Sequence, residues 1–222
     1  MNNKSVAYSL ISLILGTIVV TLSTTNSLRA TDSNQMQSSP SGTTSSASKD
    51  RETTEVDKTF IKLMVPHHQA LIDMSNMALT KGKNPAVKQL AQKMIQEQTK
   101  DVNNMKSWYQ QWYGKQVPTT SMMTSTPEGV GQEGKSKEDM EITMQQQDKM
   151  MQSMMQSINR APNFDQAYLT QMISHHQLGI IMSEFAASNG RHREITKLGA
   201  DDVKTQNEEI GQMQQMLAQG TN

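Results

Sequence analysis

The chain has 222 residues, and its 21 basic side chains balance 21 acidic ones, so it offers no overall electrostatic footprint for nucleic acid. It contains no cysteine, which excludes a disulfide scaffold, thiolate zinc sites, iron–sulfur clusters and cysteine nucleophiles. Apolar residues make up 35%, against roughly 45–50% in ordinary globular domains, yet there are 19 methionines beside only two Trp, four Tyr and three Phe, and thioethers serve either as gap-fillers or as ligands for soft metals.

Met1 to Lys4 supply a short positive segment, and Val6 to Leu22 form an apolar run without charge. That length fits a signal peptide and is short for a membrane helix. Residues 1–30 are therefore expected to be an export signal or, if uncleaved, an N-terminal anchor that meets the membrane only through residues 6–22. Both outcomes place the folded part outside the cytoplasm, in the periplasm or beyond it. Half of the residues from Thr31 to Asp50 are Ser or Thr, so 31–51 is expected to be a disordered linker. One folded domain is left, over 52–219.

The first predicted hairpin covers 52–114. Phe60, Met64, His67, Leu71, Met74 and Ala78 alternate spacings of four and three, the seam of a bundle helix. Gly82 ends that helix, and Asn84-Pro85 is an N-cap followed by proline at the first helical position. Val87, Leu90, Ala91, Met94, Gln98, Met105 and Trp112 line the second helix, which Gly114 closes. A connection over 115–162 follows, with a loop from Ser121 to Gly134. Ser136 with Asp139 reads as a capping box that opens a helix over 136–160. That helix is dense in methionine: Met140, Met144, Met150, Met151, Met154 and Met155. Such a stripe is either core or, with so little other apolar company, a surface of weak extra metal sites. The second hairpin covers 163–219, with one helix from Asn163 to Gly190 and another from His192 to Gln219.

The two hairpins are copies. A shift of 108 residues aligns 57–107 with 165–215 without a gap and leaves thirteen identical positions among fifty-one. These include Asp57/Asp165, Met64/Met172, His67/His175, His68/His176, Gln69/Gln177, Met74/Met182, Gly82/Gly190 and Gln98/Gln206. Two facing hairpins make an all-α antiparallel four-helix bundle, with the Met-rich helix in the crossover.

Met64 and His67 share a helix face, and Met74 lies two turns further along it; His68 stands about 100° away on a flanking stripe. Four buried imidazoles need partners, or one of each pair must face water, because an unsatisfied polar group in a core costs ~2–7 kcal/mol. A carboxylate or amide facing the motif, from Gln98, Asp101, Gln206 or Glu209, would hold the far imidazole nitrogen. Bundles that bind two irons use a Glu-x-x-His pair, and no histidine here has glutamate three residues before it. Met64 and Met172 hold that position, and thioether with imidazole selects Cu(I), with Ag(I) as its mimic. Two equivalent motifs are expected to give two separable sites.

Doubled Met-x-x-His-His-Gln segments on two helical hairpins, behind an export signal and a Ser/Thr linker, resemble a family of bacterial ferritin-like domains that carry a His-His motif, of the periplasmic copper-binding type. The resemblance covers about 52–219. It implies periplasmic binding of Cu(I), and of Ag(I) by mimicry, in copper resistance and without catalysis. The matching positions are Met64, His67, His68 and Met74, then Met172, His175, His176 and Met182. Copper ions are the expected partners, with a periplasmic copper efflux system or sensor to receive them, and no nucleic acid is expected. Ser174 and Gly179 depart from Pro66 and Leu71 of the first copy, which puts equal affinity of the two motifs in doubt. Two rivals are a ferritin-like metal oxidase, which the missing Glu-x-x-His pairs oppose, and a structural helical module whose His and Met merely pack.

Overall fold

A computed structural model describes residues 44–118 and 134–220, with side chains over 55–118 and 143–220. Among these residues there are five helices and no strand: α1 (Thr44–Lys81), α2 (Pro85–Tyr113), α3 (Gly134–Arg160), α4 (Phe164–Asn189) and α5 (Arg193–Gln219). Packing divides the chain into residues 1–52 and 53–222, and the second unit holds both hairpins. Of the first unit only the helical backbone of 44–52 is described. No helix among the described residues is long and apolar enough to cross a membrane. The export segment, most of the linker and the loop over 119–133, with Met122 and Met123, lie outside the described residues.

Helix boundaries follow local chemistry. Asn84 accepts from the Ala86 N–H at 2.9 Å, and Pro85 starts α2. Asn163 accepts from the Gln166 N–H at 3.1 Å and opens α4. Gly114 takes the left-handed conformation at φ 67° and donates to the Gln110 carbonyl, closing α2. Two boundaries differ from expectation. Residues 44–51 of the expected linker are helical, because adding residues to a helix already nucleated by packing costs far less than starting one. The capping box at Ser136 is not the start of α3, which begins at Gly134 and places Ser136 inside the helix.

Each hairpin turn is held by an aspartate of the other hairpin. Asp165 on α4 accepts from the backbone N–H groups of Lys83 (3.0 Å) and Asn84 (2.8 Å). Asp57 on α1 accepts from those of Arg191 (2.9 Å) and His192 (3.0 Å), and also from the His192 ring at 2.6 Å. Glycine is required beside both carboxylates: a Cβ would fall 2.8 Å from Asp165 Oδ1 at Gly82 and 3.2 Å from Asp57 Oδ1 at Gly190. The duplicated aspartates and glycines are thus one device used twice.

Apolar packing forms two cores. One joins Phe60, Met64 and Val65 of α1, Met105 and Tyr109 of α2, Ala186 of α4 and Ile195 and Leu198 of α5. The other joins Leu71, Met74 and Ala78 of α1, Val87 and Met94 of α2, Leu169 and Met172 of α4 and Met213 of α5. Residues 60–65 of α1 therefore lie level with the ends of α2 and α4 and the start of α5. That is an antiparallel four-helix arrangement with the His-His motifs between the cores. Helix α3 runs alongside α1: Gln147 donates to the Leu63 carbonyl at 3.1 Å, in the turn that Pro66 interrupts, and Lys81 donates to Asn159.

The Met-rich helix is mostly packing. Met144 and Met151 are buried, and Met154 and Met155 are half-buried against the second core, together with buried Ile158. Met150 is half-buried as well. The exposed methionine surface expected there does not exist among the described residues. The stripe at 144, 147, 151, 154, 155 and 158 is wide because α3 touches both α1 and α4.

Candidate metal centre

Between the two cores lies a band of buried polar side chains. His67, His68, His175 and His176 all have no solvent exposure, so neither pair turns one ring to water. His67 and His175, on the facing seams of α1 and α4, stack with ring centroids 3.7 Å apart. Their neighbours flank them symmetrically, His68 at 6.1 Å from His67 and His176 at 6.3 Å from His175. The two motifs, 108 residues apart in the chain, come together in one cluster of four imidazoles.

Hydrogen bonding leaves most of this cluster open. His67 Nε2 donates to the His175 carbonyl at 3.2 Å, which leaves a lone pair on Nδ1. His176 Nε2 meets Glu209 Oε2 at 2.9 Å, and Glu209 also accepts from Lys93 at 3.2 Å. This is the carboxylate expected to orient a ring from the facing helix, leaving Nδ1 of His176 free of partners. Both nitrogens of His68 and of His175, Nδ1 of His67 and Nδ1 of His176 have no hydrogen-bond partner. Each orphaned buried group costs about 1–3 kcal/mol, so six would consume the ~5–15 kcal/mol that stabilise a whole domain. The cluster therefore fits a ligand that accepts lone pairs.

Burial decides the charge state. It lowers the His67 pKa from 6.5 to about 3, helped by the His176 ring and opposed by the bond to His175. Burial, then the neighbouring imidazoles, holds His68 and His175 well below the usual range. These three rings are neutral at neutral pH and present donor nitrogens without first losing a proton. Burial also tends to raise Glu209, but His176 and Lys93 together outweigh it and hold the carboxylate low.

The methionines are regrouped by the fold. Within each motif Met64 and Met172 stand one turn before the histidines, as the sequence places them. Across the bundle, however, Met64 shares a core with Met182, and Met74 shares the other with Met172. Met64, Met74 and Met172 are fully buried and Met182 is half-buried. The histidine band is thus bracketed by one thioether pair at each end, each pair drawn from both hairpins. Gly179 is not a defect of the second copy. A Cβ there would lie 2.4 Å from Gln206 Oε1 and 3.0 Å from His67 Cε1, so glycine makes the room that the His67 ring occupies.

Asp202 is a buried carboxylate beside the histidine band that sequence reasoning missed. It is buried, accepts from Ser183 Oγ at 3.2 Å and lies 3.8 Å from His68 Nε2, so the inward carboxylates are not limited to Asp101 and Glu209. Burial, and then Asp101, pushes its pKa from 3.8 up to about 8, and burial pushes Asp101 to about 6. Its counterpart in the first copy is Met94, so the repeat hides it. The available signal was the seam of α5, where 195, 198, 202, 206, 209 and 213 follow helical spacing and 202 is charged. His192 belongs elsewhere, bonded to Asp57 and stacked on Trp112 at 3.7 Å.

A family model described as a domain of unknown function, DUF305, matches residues 22–106 and 57–217. Among solved structures, CopM in its Cu(II)-bound form is 35% identical with a TM-score of 0.55, covering 72% of this chain and 93% of CopM. The Cu(I)-bound and Ag-bound forms of CopM match at 33% identity over the same shares, with TM-scores of 0.54 and 0.53. A DUF305 protein from Streptomyces coelicolor, 20% identical, shares the fold at a TM-score of 0.56 over 74% of this chain and 93% of its own. Among curated proteins, the uncharacterised protein L153 of Acanthamoeba polyphaga mimivirus is 39% identical over 51 residues, 23% of this chain; that match spans about a third of L153, 34% of its length.

Proposed function

The chain belongs to the DUF305 family as a CopM-type protein, and from that premise we propose that it binds Cu(I), with Ag(I) as a mimic, in the periplasm, and sequesters the ion or hands it on in copper homeostasis and resistance. The observation that carries this reading is the stack of His67 on His175 inside a band with six unpartnered imidazole nitrogens. The CopM structures in Cu(I), Cu(II) and Ag forms support copper as the cargo. Thioether and imidazole are donors that favour Cu(I) over harder ions. Methionine also holds soft metal in an oxidising compartment without being consumed in disulfides.

The roles divide by position. His67 and His175 supply the central donors, His68 and His176 the flanking ones, and Met64, Met74, Met172 and Met182 the thioethers at either end. Glu209 holds the far nitrogen of His176 so that Nδ1 points to the metal. Copper is cargo, and no turnover is proposed. The receiving partner is a copper efflux system or sensor outside the cytoplasm.

Anaerobic competition of the full chain against a Cu(I) chelator, repeated with Ag(I), tests the reading. Both ions should be taken from the competitor, and Mg(II) should not compete. A protein that binds neither Cu(I) nor Ag(I) overturns it.

A further inference from the structure

Two flanks of the histidine band differ in chemistry. On the His176 flank a single carboxylate, Glu209, already has two cationic or donor partners, His176 at 2.9 Å and Lys93 at 3.2 Å. On the His68 flank two carboxylates converge instead. His68 of α1, Asp101 of α2 and Asp202 of α5 each offer a ligand atom, and these atoms lie within 4.8 Å of one another. Among the described residues neither aspartate has a lysine or arginine within 4 Å, and the neutral His68 ring stands 3.8 Å from Asp202. His68 is fully buried, and neither of its nitrogens has a hydrogen-bond partner.

We propose that His68, Asp101 and Asp202 form a second metal site, adjoining the thioether–imidazole centre and sharing only His68 with it, that takes a borderline divalent ion of the Cu(II) or Zn(II) class. Two carboxylates and one imidazole are a hard-to-borderline donor set, suited to divalent ions and poorly suited to Cu(I). Three ligand atoms about 2.0–2.2 Å from one ion stand roughly 3.3–3.8 Å apart, so groups already within 4.8 Å of one another need to close by about 1–1.5 Å at most, within reach of side-chain rotation. Ser183 donates to Asp202 Oδ2, the same oxygen that lies 3.8 Å from His68, and so fixes that carboxylate while Oδ1 stays without a side-chain donor from Ser183. Asp101 is half-buried, so the site has a route to solvent that the central histidines lack. A divalent cation also resolves the cost of two carboxylates that share a buried flank without a lysine or arginine pair. The proposal goes beyond the soft-metal reading and does not rest on it, since only His68 is common to both.

Zn(II) is the probe, because it is redox-silent, and Cu(II) is the second arm. The metal-free full chain is titrated against a chelating indicator, and Ag(I) stoichiometry is measured on the same preparations. The wild type should bind one Zn(II), and one Cu(II) more tightly. Asp202→Asn, nearly isosteric, should weaken both by roughly 100-fold, the upper end of what loss of a supporting partner alone produces. Its Ag(I) stoichiometry should stay unchanged. Asp101→Asn, at a half-exposed position that a fold tolerates, carries the test if Asp202→Asn does not fold. No Zn(II) or Cu(II) binding in the wild type, or equal binding in wild type and Asp101→Asn, overturns the proposal. Absence of Ag(I) binding with the Zn(II) losses as stated would sink the soft-metal reading and leave this site standing.

Discussion

The two hairpins are built on one plan and end in different chemistry. Their histidine pairs are set alike, 6.1 and 6.3 Å between rings, and each hairpin's aspartate holds the other's turn. Around that shared frame the copies diverge. Where α2 carries Met94, α5 carries Asp202; where α1 carries Leu71 in the core, α4 carries Gly179 beside His67. Duplication preserved what fixes the backbone and the imidazoles, and divergence fell on the residues that surround them. One side of the histidine band is thus closed by a Glu–His–Lys network, and the other by two aspartates without such a cation.

The comparison breaks most completely at the central stack. If the hairpins were independent carriers, His67→Ala would remove about half the tightly held Ag(I) and leave the other motif intact. With the two rings 3.7 Å apart, the expected outcome is loss of all tight binding from either His67→Ala or His175→Ala. Equilibrium dialysis of Ag(I) against each variant decides between half and all.

The turn-holding aspartates come next. Asp165→Ala removes acceptors from two backbone N–H groups, and Asp57→Ala removes the same plus the His192 ring. At about 1–3 kcal/mol for each donor left without a partner, Asp165→Ala should cost about 2–6 kcal/mol and Asp57→Ala at least about 1 kcal/mol more. Urea midpoints at constant slope measure both. Equal midpoints would mean that the His192 contact adds nothing and the two turns are equivalent in strength as well as in plan.

Acid should expose the imbalance between imidazoles and carboxylates. His67, His68 and His175 have folded pKa values below the unfolded 6.5, so the unfolded chain binds more protons below that pH, and their stabilisation falls as pH drops from 6.5 towards about 3. Asp202, raised to about 8, acts in the opposite sense, its contribution being complete below pH ~3.9 and lost as pH rises through 8. Asp101 opposes only in part, because it is half-exposed and screened. Three protons against fewer than two leave a net loss of at least about 1.4 kcal/mol per pH unit near pH 5 in the metal-free protein. Denaturation series at pH 6.5, 5.5 and 4.5 should show that slope, and Asp202→Asn should steepen it. A metal-free protein equally stable at all three would mean that the imidazoles are not held neutral.

The smallest effect belongs to Gly179→Ala. Alanine gains about 1 kcal/mol of helix propensity, but its Cβ must displace the Gln206 amide and crowd the His67 ring. Stability should change by less than about 1 kcal/mol, while Ag(I) affinity should fall roughly tenfold, as when an outer contact of a ligand is lost. Unchanged affinity would show that the Gly179 notch plays no part in positioning His67.

Much of this was legible in the residues themselves. Helical seams, Asn84-Pro85, Asn163 and Gly114 are local signals, because capping and periodicity depend on neighbours within a turn or two. The duplication marked Asp57, Asp165, Gly82 and Gly190 as equivalent, though not that each aspartate reaches across to the opposite turn. A carboxylate from the facing helix was foreseen for the histidines, and Glu209 fills that role for His176. Asp202 was not foreseen, because it breaks the repeat that made the other positions visible.

The sequence by itself determined five helical stretches, the ends at Asn84, Gly114 and Asn163, the doubled Met-x-x-His-His-Gln motif and the softness of its donors, since each depends on residue type and short spacing along one helix. Only the tertiary structure decided that the motifs merge into one stack, that Met64 groups with Met182 and Met74 with Met172, and that Asp101 and Asp202 meet at His68. Those pairings join helices that are distant in the chain, and they follow from the antiparallel packing of two amphipathic hairpins, which brings the middle of α1 against the middle of α4 and leaves the buried polar groups nowhere to turn but towards each other.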